Sequence, residues 1–128
     1  MRLFRNRRSA RALLATLLLV ISGCEREGLT PPPGLLASPQ ARRDGQAVFL
    51  AHCAICHGSR GDGEGVRREA MTPPPANLDL PPWSDPDSAR QTFLVIRRGV
   101  PRTAMPAWIQ LTDQQTWDVV AYLTERGA

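Results

Sequence analysis

Apolar residues fall into two kinds of pattern along the chain. Ala12 to Ile21 is an almost unbroken apolar run. Beyond Ser38 the pattern becomes periodic. Ala41, Gly45, Val48, Phe49 and His52 share one face at helical spacing, and so do Ala89, Phe93 and Ile96. Trp117, Val120 and Leu123 or Tyr122 supply a third such face. The boundaries are equally legible. Ser38 precedes Pro39, the pair expected at a helix start, and the first helix is predicted to run to about Ala54. Asp85-Pro86 opens the second helix and Gly99 closes it. Thr112 and Gln115 form a capping-box pattern for the last, which runs to about Arg126 with Gly127 just beyond. Residues 58–84, rich in Gly and Pro, are expected to be mostly irregular, with one short helix around Val66–Ala70, and residues 100–110 form a loop. Three good helices and no convincing strand place the chain in the all-α class. No internal repeat is visible.

The first apolar run is not part of the domain. It follows Arg2, Arg5, Arg7, Arg8 and Arg11, the layout of a secretory signal, and its ten residues are too few to span a bilayer without sliding its boundaries. It ends in Ile21-Ser22-Gly23-Cys24. This resembles the lipobox of bacterial lipoproteins, and that resemblance implies lipidation at Cys24. An ordinary secretory signal with a free Cys24 is the alternative. The organisation expected is therefore a signal over 1–23, a Pro-rich tether over 24–38 and one domain over 39–128. Pro31-Pro32-Pro33 favours an extended spacer.

Removing the signal changes the charge. The whole chain is +4, but five of its sixteen arginines precede Cys24, leaving eleven against twelve acidic residues. A balance of −1 gives no electrostatic reason to bind nucleic acid. There is no lysine, so a docking face would use arginine or neutral groups. A phosphate loop is excluded too: the glycines at 58, 61, 63 and 65 follow no strand and lack a Lys-Ser/Thr ending. Close backbone approach to a cofactor edge is the expectation there instead.

The chemistry lies in Cys53-Ala54-Ile55-Cys56-His57. C-x-x-C-H is the spacing of covalent haem attachment. On a helical turn, two thiols three residues apart face the same way and can reach one edge of a flat macrocycle. The following imidazole can then stand under the iron. A dithiol redox pair would be expected near a βαβ pattern, which is absent. Zinc would have to crowd His52, Cys53, Cys56 and His57 into six residues, with no second ligand pair downstream. The sixth iron position needs a second ligand. His52 lies on the same side as His57, which leaves Met71 and Met105. Reach does not separate them. Context favours Met105, because Pro106 pushes it toward extended backbone in a loop between two helices, but leaves Met71 open.

Together these pieces resemble a class I cytochrome c. Gly45…Phe49 and Cys53–Gly58 look like its first helix and haem motif, and Pro75-Ala76-Asn77-Leu78 like a segment of bacterial members. Ile96…Gly99…Met105-Pro106…Trp108 looks like the distal loop, and Val119–Leu123 like the last helix. The resemblance covers about residues 40–126. It implies three to four helices wrapped round one covalently bound haem c, with first and last helices crossing near Gly45, Phe49 and Tyr122. It implies thioethers at Cys53 and Cys56, with His57 and Met105 on the iron, and passage of single electrons between larger redox partners. Arg97, Arg98, Arg102 and Trp83 are candidates for the haem propionates. Ala104–Trp108 is the expected docking edge. The expected protein is a lipid-anchored carrier on the extracytoplasmic side, not an enzyme by itself. Two rivals are a haem c subunit of an oxidase or dehydrogenase and a ligand-binding sensor with a labile Met105.

Overall fold

The computed structural model describes residues 29–79 and 87–126. Four helices occur among them: α1 (Pro39–His52), α2 (Ala54–His57), α3 (Ser88–Arg98) and α4 (Asp113–Arg126). Single 3-10 turns lie at Leu35–Ala37 and Arg68–Ala70, and no strand is present among the described residues. The all-α expectation holds. The second of those turns stands where a short helix was expected.

The helix ends follow from their capping residues. At the head of α1, Ser38 Oγ accepts the Ala41 N–H at 3.3 Å, and Pro39 occupies the first position, where a missing N–H costs nothing. At the head of α4 the capping box closes in both directions. Gln115 N donates to Thr112 Oγ1 at 3.1 Å, and Thr112 N donates to Gln115 Oε1 at 3.0 Å. Gly99, at φ 68, closes α3. Asp85, Pro86 and Gly127 lie outside the described residues. One boundary differs from expectation. The first helix stops at His52 rather than near Ala54, with Cys53 as its cap at φ −106 and ψ −35, still in the right-handed helical region. Its N–H still bonds Phe49 O at 2.8 Å, and the chain restarts as the single turn α2. Cys53 thus joins α1 to the short turn that carries Cys56 and His57.

α1 and α4 form the most extensive helix pair, and one residue sets their approach. A Cβ on Gly45 would stand 1.8 Å from the Asp118 carbonyl oxygen, so the two backbones touch there and only glycine fits. Beside this crossing the Phe49 and Tyr122 rings meet at 5.4 Å. Phe49, Val119 and Val120 are almost wholly buried, each contributing roughly 1.5–3 kcal/mol from area removed from water. α4 is buried all round its middle, from Thr116 to Leu123, where the sequence predicted a single apolar side. The Thr116 hydroxyl is satisfied by Thr112 O at 2.9 Å, which lets a polar residue sit there. Phe93 stacks on Trp117 at 4.4 Å and fastens α3 to the pair.

The described part of the Pro-rich stretch is seated on the domain. Leu29, Leu35 and Leu36 pack against the core, and Arg42 ties the stretch down by donating to Leu36 O at 3.2 Å while pairing with Glu125 at 2.9 Å. No helix among the described residues is long and apolar enough to cross a membrane.

Candidate haem site

Four separate stretches of chain enclose a cavity of about 320 Å³: the end of α1 with α2, residues 71–78, α3 with the loop after it, and the middle of α4. Its lining is almost wholly apolar and its size is that of a small-ligand site.

One wall is the haem motif. Cys53, Cys56 and His57 all line the cavity. The last carbonyls of a short helix have no partner inside it. Here the following loop turns back to satisfy them. Gly63 N donates to His57 O at 2.8 Å, Gly65 N to Cys56 O at 3.2 Å and Arg67 N to Ile55 O at 3.0 Å. Gly65 approaches so closely that a Cβ would lie 2.4 Å from Cys56 C and O. The glycines were expected to approach a cofactor edge. None of them lines the cavity; Gly63 and Gly65 lie instead against the backbone of Pro75 and of Cys56, and Gly58 and Gly61 against side chains.

His57 is oriented from behind. Its Nδ1 lies 3.1 Å from Ala76 O. A carbonyl only accepts, so Nδ1 carries the proton and the Nε2 lone pair is left for a metal. The segment bearing Ala76 is itself held, with Leu78 N bonded to Gly61 O at 2.6 Å. Burial first, then the nearby Cys56, pushes the Cys53 thiol up to about 11. A thiol shifted in this direction is a poor nucleophile by itself at neutral pH. Among the described residues no group of three or more His, Cys, Asp or Glu is placed to hold a metal ion.

A second wall is the loop between α3 and α4, carrying Met105, Pro106 and Trp108. Thr103 Oγ1 donates to Val100 O at 2.8 Å and accepts Met105 N at 3.1 Å, and Val100 N reaches Met105 O at 3.1 Å. Met105 is thus fixed at both its N–H and its carbonyl. Met71 also lines the cavity, and its N–H is bonded to Arg68 O at 3.0 Å. Both methionines are therefore brought to the site, with Met105 in the more closely tied backbone. His52 lies on the cavity rim with its ring 5.4 Å from Trp108.

None of the three described arginines named for the propionates lines the cavity. Arg98 and Arg102 are exposed. Arg97 turns toward the carbonyls of Trp108 and Leu111 and toward Asp113. Trp83 and Cys24 lie outside the described residues. Sequence reasoning missed the Ala76 carbonyl and the wall residues Thr92 and Val95, none of which carries a pattern of its own.

The residues present fit a haem. Two thiols at attachment spacing and an imidazole with a free Nε2 share one wall, and a thioether stands on another wall of the same apolar slot. Comparison with known proteins agrees. Residues 40–123 match the family model described as cytochrome c oxidase, cbb3-type, subunit III. Cytochrome c55X of Stutzerimonas stutzeri is 35% identical over 100 residues, 74% of each chain. Among solved structures, a chain of the reducing HAO-like protein complex of Kuenenia stuttgartiensis superposes with a TM-score of 0.55 at 30% identity. That match covers 64% of this chain and 40% of the other. Haem-based electron transfer is the activity these relatives support. The chain belongs to the monohaem cytochrome c family and carries covalently bound haem c.

Proposed function

We propose that this protein is a membrane-anchored, one-electron carrier in which Cys53 and Cys56 hold the haem vinyl groups and His57 Nε2 and Met105 Sδ are the axial ligands. The observation that carries the reading is the single apolar cavity with the C-x-x-C-H turn on one wall and a backbone-fixed methionine on another. When bound, the haem supplies the one-electron chemistry. The protein's own residues keep it in place and keep its surroundings constant. The Ala76 carbonyl holds the His57 ring and raises its basicity. A thioether favours the reduced state and raises the potential. The apolar lining excludes water, so little has to reorganise as charge changes.

The finer role extends this reading. The basic, apolar N-terminus and Cys24 support export and lipid attachment on the extracytoplasmic side, where cytochrome c domains typically work. Redox proteins are the partners. The apron beside Met105 supports docking there: Ala104, Pro106 and Ala107 are exposed, and Ile109 is 76% exposed. A second reading, a haem c subunit of a larger oxidoreductase, is favoured by the family description and by the structural neighbour's origin in a complex. A stable partner retained through purification would select it.

The test is an optical spectrum of protein made in a host that attaches c-type haem, oxidised and reduced, extended into the near infrared. The expected result is a covalent low-spin haem with a sulfur-to-iron charge-transfer band. A high-spin haem without that band would remove Met105 from the iron and favour a ligand sensor.

A further inference from the structure

The loop that presents Met105 is fastened twice. The inner fastening is local: Thr103 and Val100 bond Met105 itself, and Gly99 packs so tightly that a Cβ would lie 2.7 Å from Met105 O, Pro106 C and Ala107 N. These contacts join residues 99–103 to residues 105–107 within the loop. The outer fastening joins the returning limb to the helices. Trp108 N donates to Ile96 O at 3.0 Å, drawing the returning limb onto α3. Next to it, Arg97 Nη1 donates to Trp108 O at 3.4 Å and also to Leu111 O, while Nη2 lies 3.6 Å from Asp113 Oδ1 at the start of α4. One guanidinium therefore joins the last turn of α3, the returning limb and the first turn of α4. Its side chain is only 29% exposed, so water competes weakly for these bonds.

We propose that Arg97 is a positioning residue for Met105: it latches the returning limb to α3 and α4 so that the thioether stays at the cavity. The inference rests on the ligation proposed above. The physical basis is the fork of donors, which only arginine can aim at two carbonyls and a carboxylate together. Removing it leaves the inner fastening and the helices intact and raises the fraction of time the loop stands open. An external ligand reads that fraction directly, because its apparent affinity scales with the population of the open state.

The experiment is an imidazole titration of the oxidised holoprotein, followed by loss of the near-infrared band, with far-UV circular dichroism and denaturation midpoint measured alongside. Arg97→Gln is expected to bind imidazole about tenfold more tightly or better, the effect of losing charged hydrogen bonds, with native helicity. Arg97→Lys keeps the charge but aims one donor at a time, and falls between. Native imidazole affinity in Arg97→Gln, with only a lowered denaturation midpoint, would show a merely structural role and overturn the proposal. If Arg97→Gln does not accumulate as holoprotein, Arg97→Lys decides alone, and native affinity in it overturns the proposal. Met105→Ala separates the two levels. If it keeps the band, the ligation reading falls and the latch with it. If it loses the band and binds imidazole tightly while the Arg97 variants stay native, the latch alone is wrong.

Discussion

The two walls of the cavity are held by different physics. The wall bearing Cys53, Cys56 and His57 is local in sequence. It is one helical turn, closed on its own carbonyls by the next ten residues, and it carries the two thiols proposed for covalent attachment. The wall bearing Met105 is a loop spanning Gly99 to Thr112, and it is held by hydrogen bonds to α3, whose Arg97 also pairs with Asp113 at the start of α4. Covalent anchoring tolerates opening of the surrounding structure. The proposed ligation through a loop would not. On that proposal the haem should be nearly impossible to lose, while the methionine bond would be the weak and tunable link.

The largest break comes from removing the covalent wall. The double variant Cys53→Ser, Cys56→Ser should yield protein with no haem retained through denaturing electrophoresis, and with a poorly folded core, because the apolar slot loses the plate that fills it. Met105→Ala should have a smaller and one-sided effect. It keeps the haem attached, abolishes the near-infrared band, lowers the potential and admits carbon monoxide to the reduced form; a native spectrum in this variant would contradict the assignment. Gly99→Ala sharpens the contrast further. Its φ of 68 is strained for an L side chain, and the added Cβ would press on the backbone that carries Met105. A loss of roughly 1–3 kcal/mol is expected, accompanied by a weakened band while covalent attachment stays complete.

The smallest effect is at the helix crossing, which supports both walls alike. Burial raises the Asp118 carboxyl above its ordinary value, against the opposing bond from Gln114 at 2.8 Å. The native state thus holds that proton more tightly than the unfolded chain does. Stability from this group is greatest in acid and falls as pH rises from the ordinary carboxylate value through the raised one. Asp118→Asn should remove that slope and stabilise the protein at neutral pH by under about 1 kcal/mol, leaving the spectrum unchanged. Urea titrations at pH 4 and pH 7 check the sign.

The same contrast explains what the sequence could reveal. Features set by neighbours in the chain were legible: the Ser38-Pro39 start, the Thr112/Gln115 box, the Gly99 end, the apolar faces and the C-x-x-C-H turn. Features set by distant contacts were not. Nothing local marks the break at Cys53, the buried far side of α4, or the seating of Leu35 and Leu36 on the core, because each depends on what packs against it. The Ala76 carbonyl behind His57 is a backbone group and leaves no trace in residue type. Arg97 reads in the sequence as one of several candidates for the propionates, and nothing local singles it out until Trp108, Leu111 and Asp113 are placed around it.

The central claim is that the methionine wall yields before the fold does. Denaturant titration of the oxidised holoprotein, followed in the same samples by the near-infrared band and by far-UV circular dichroism, tests it directly. The account predicts that the band disappears at lower denaturant than the helices. Superimposable curves would contradict it, showing that the Met105 loop and the helical core open as one cooperative unit.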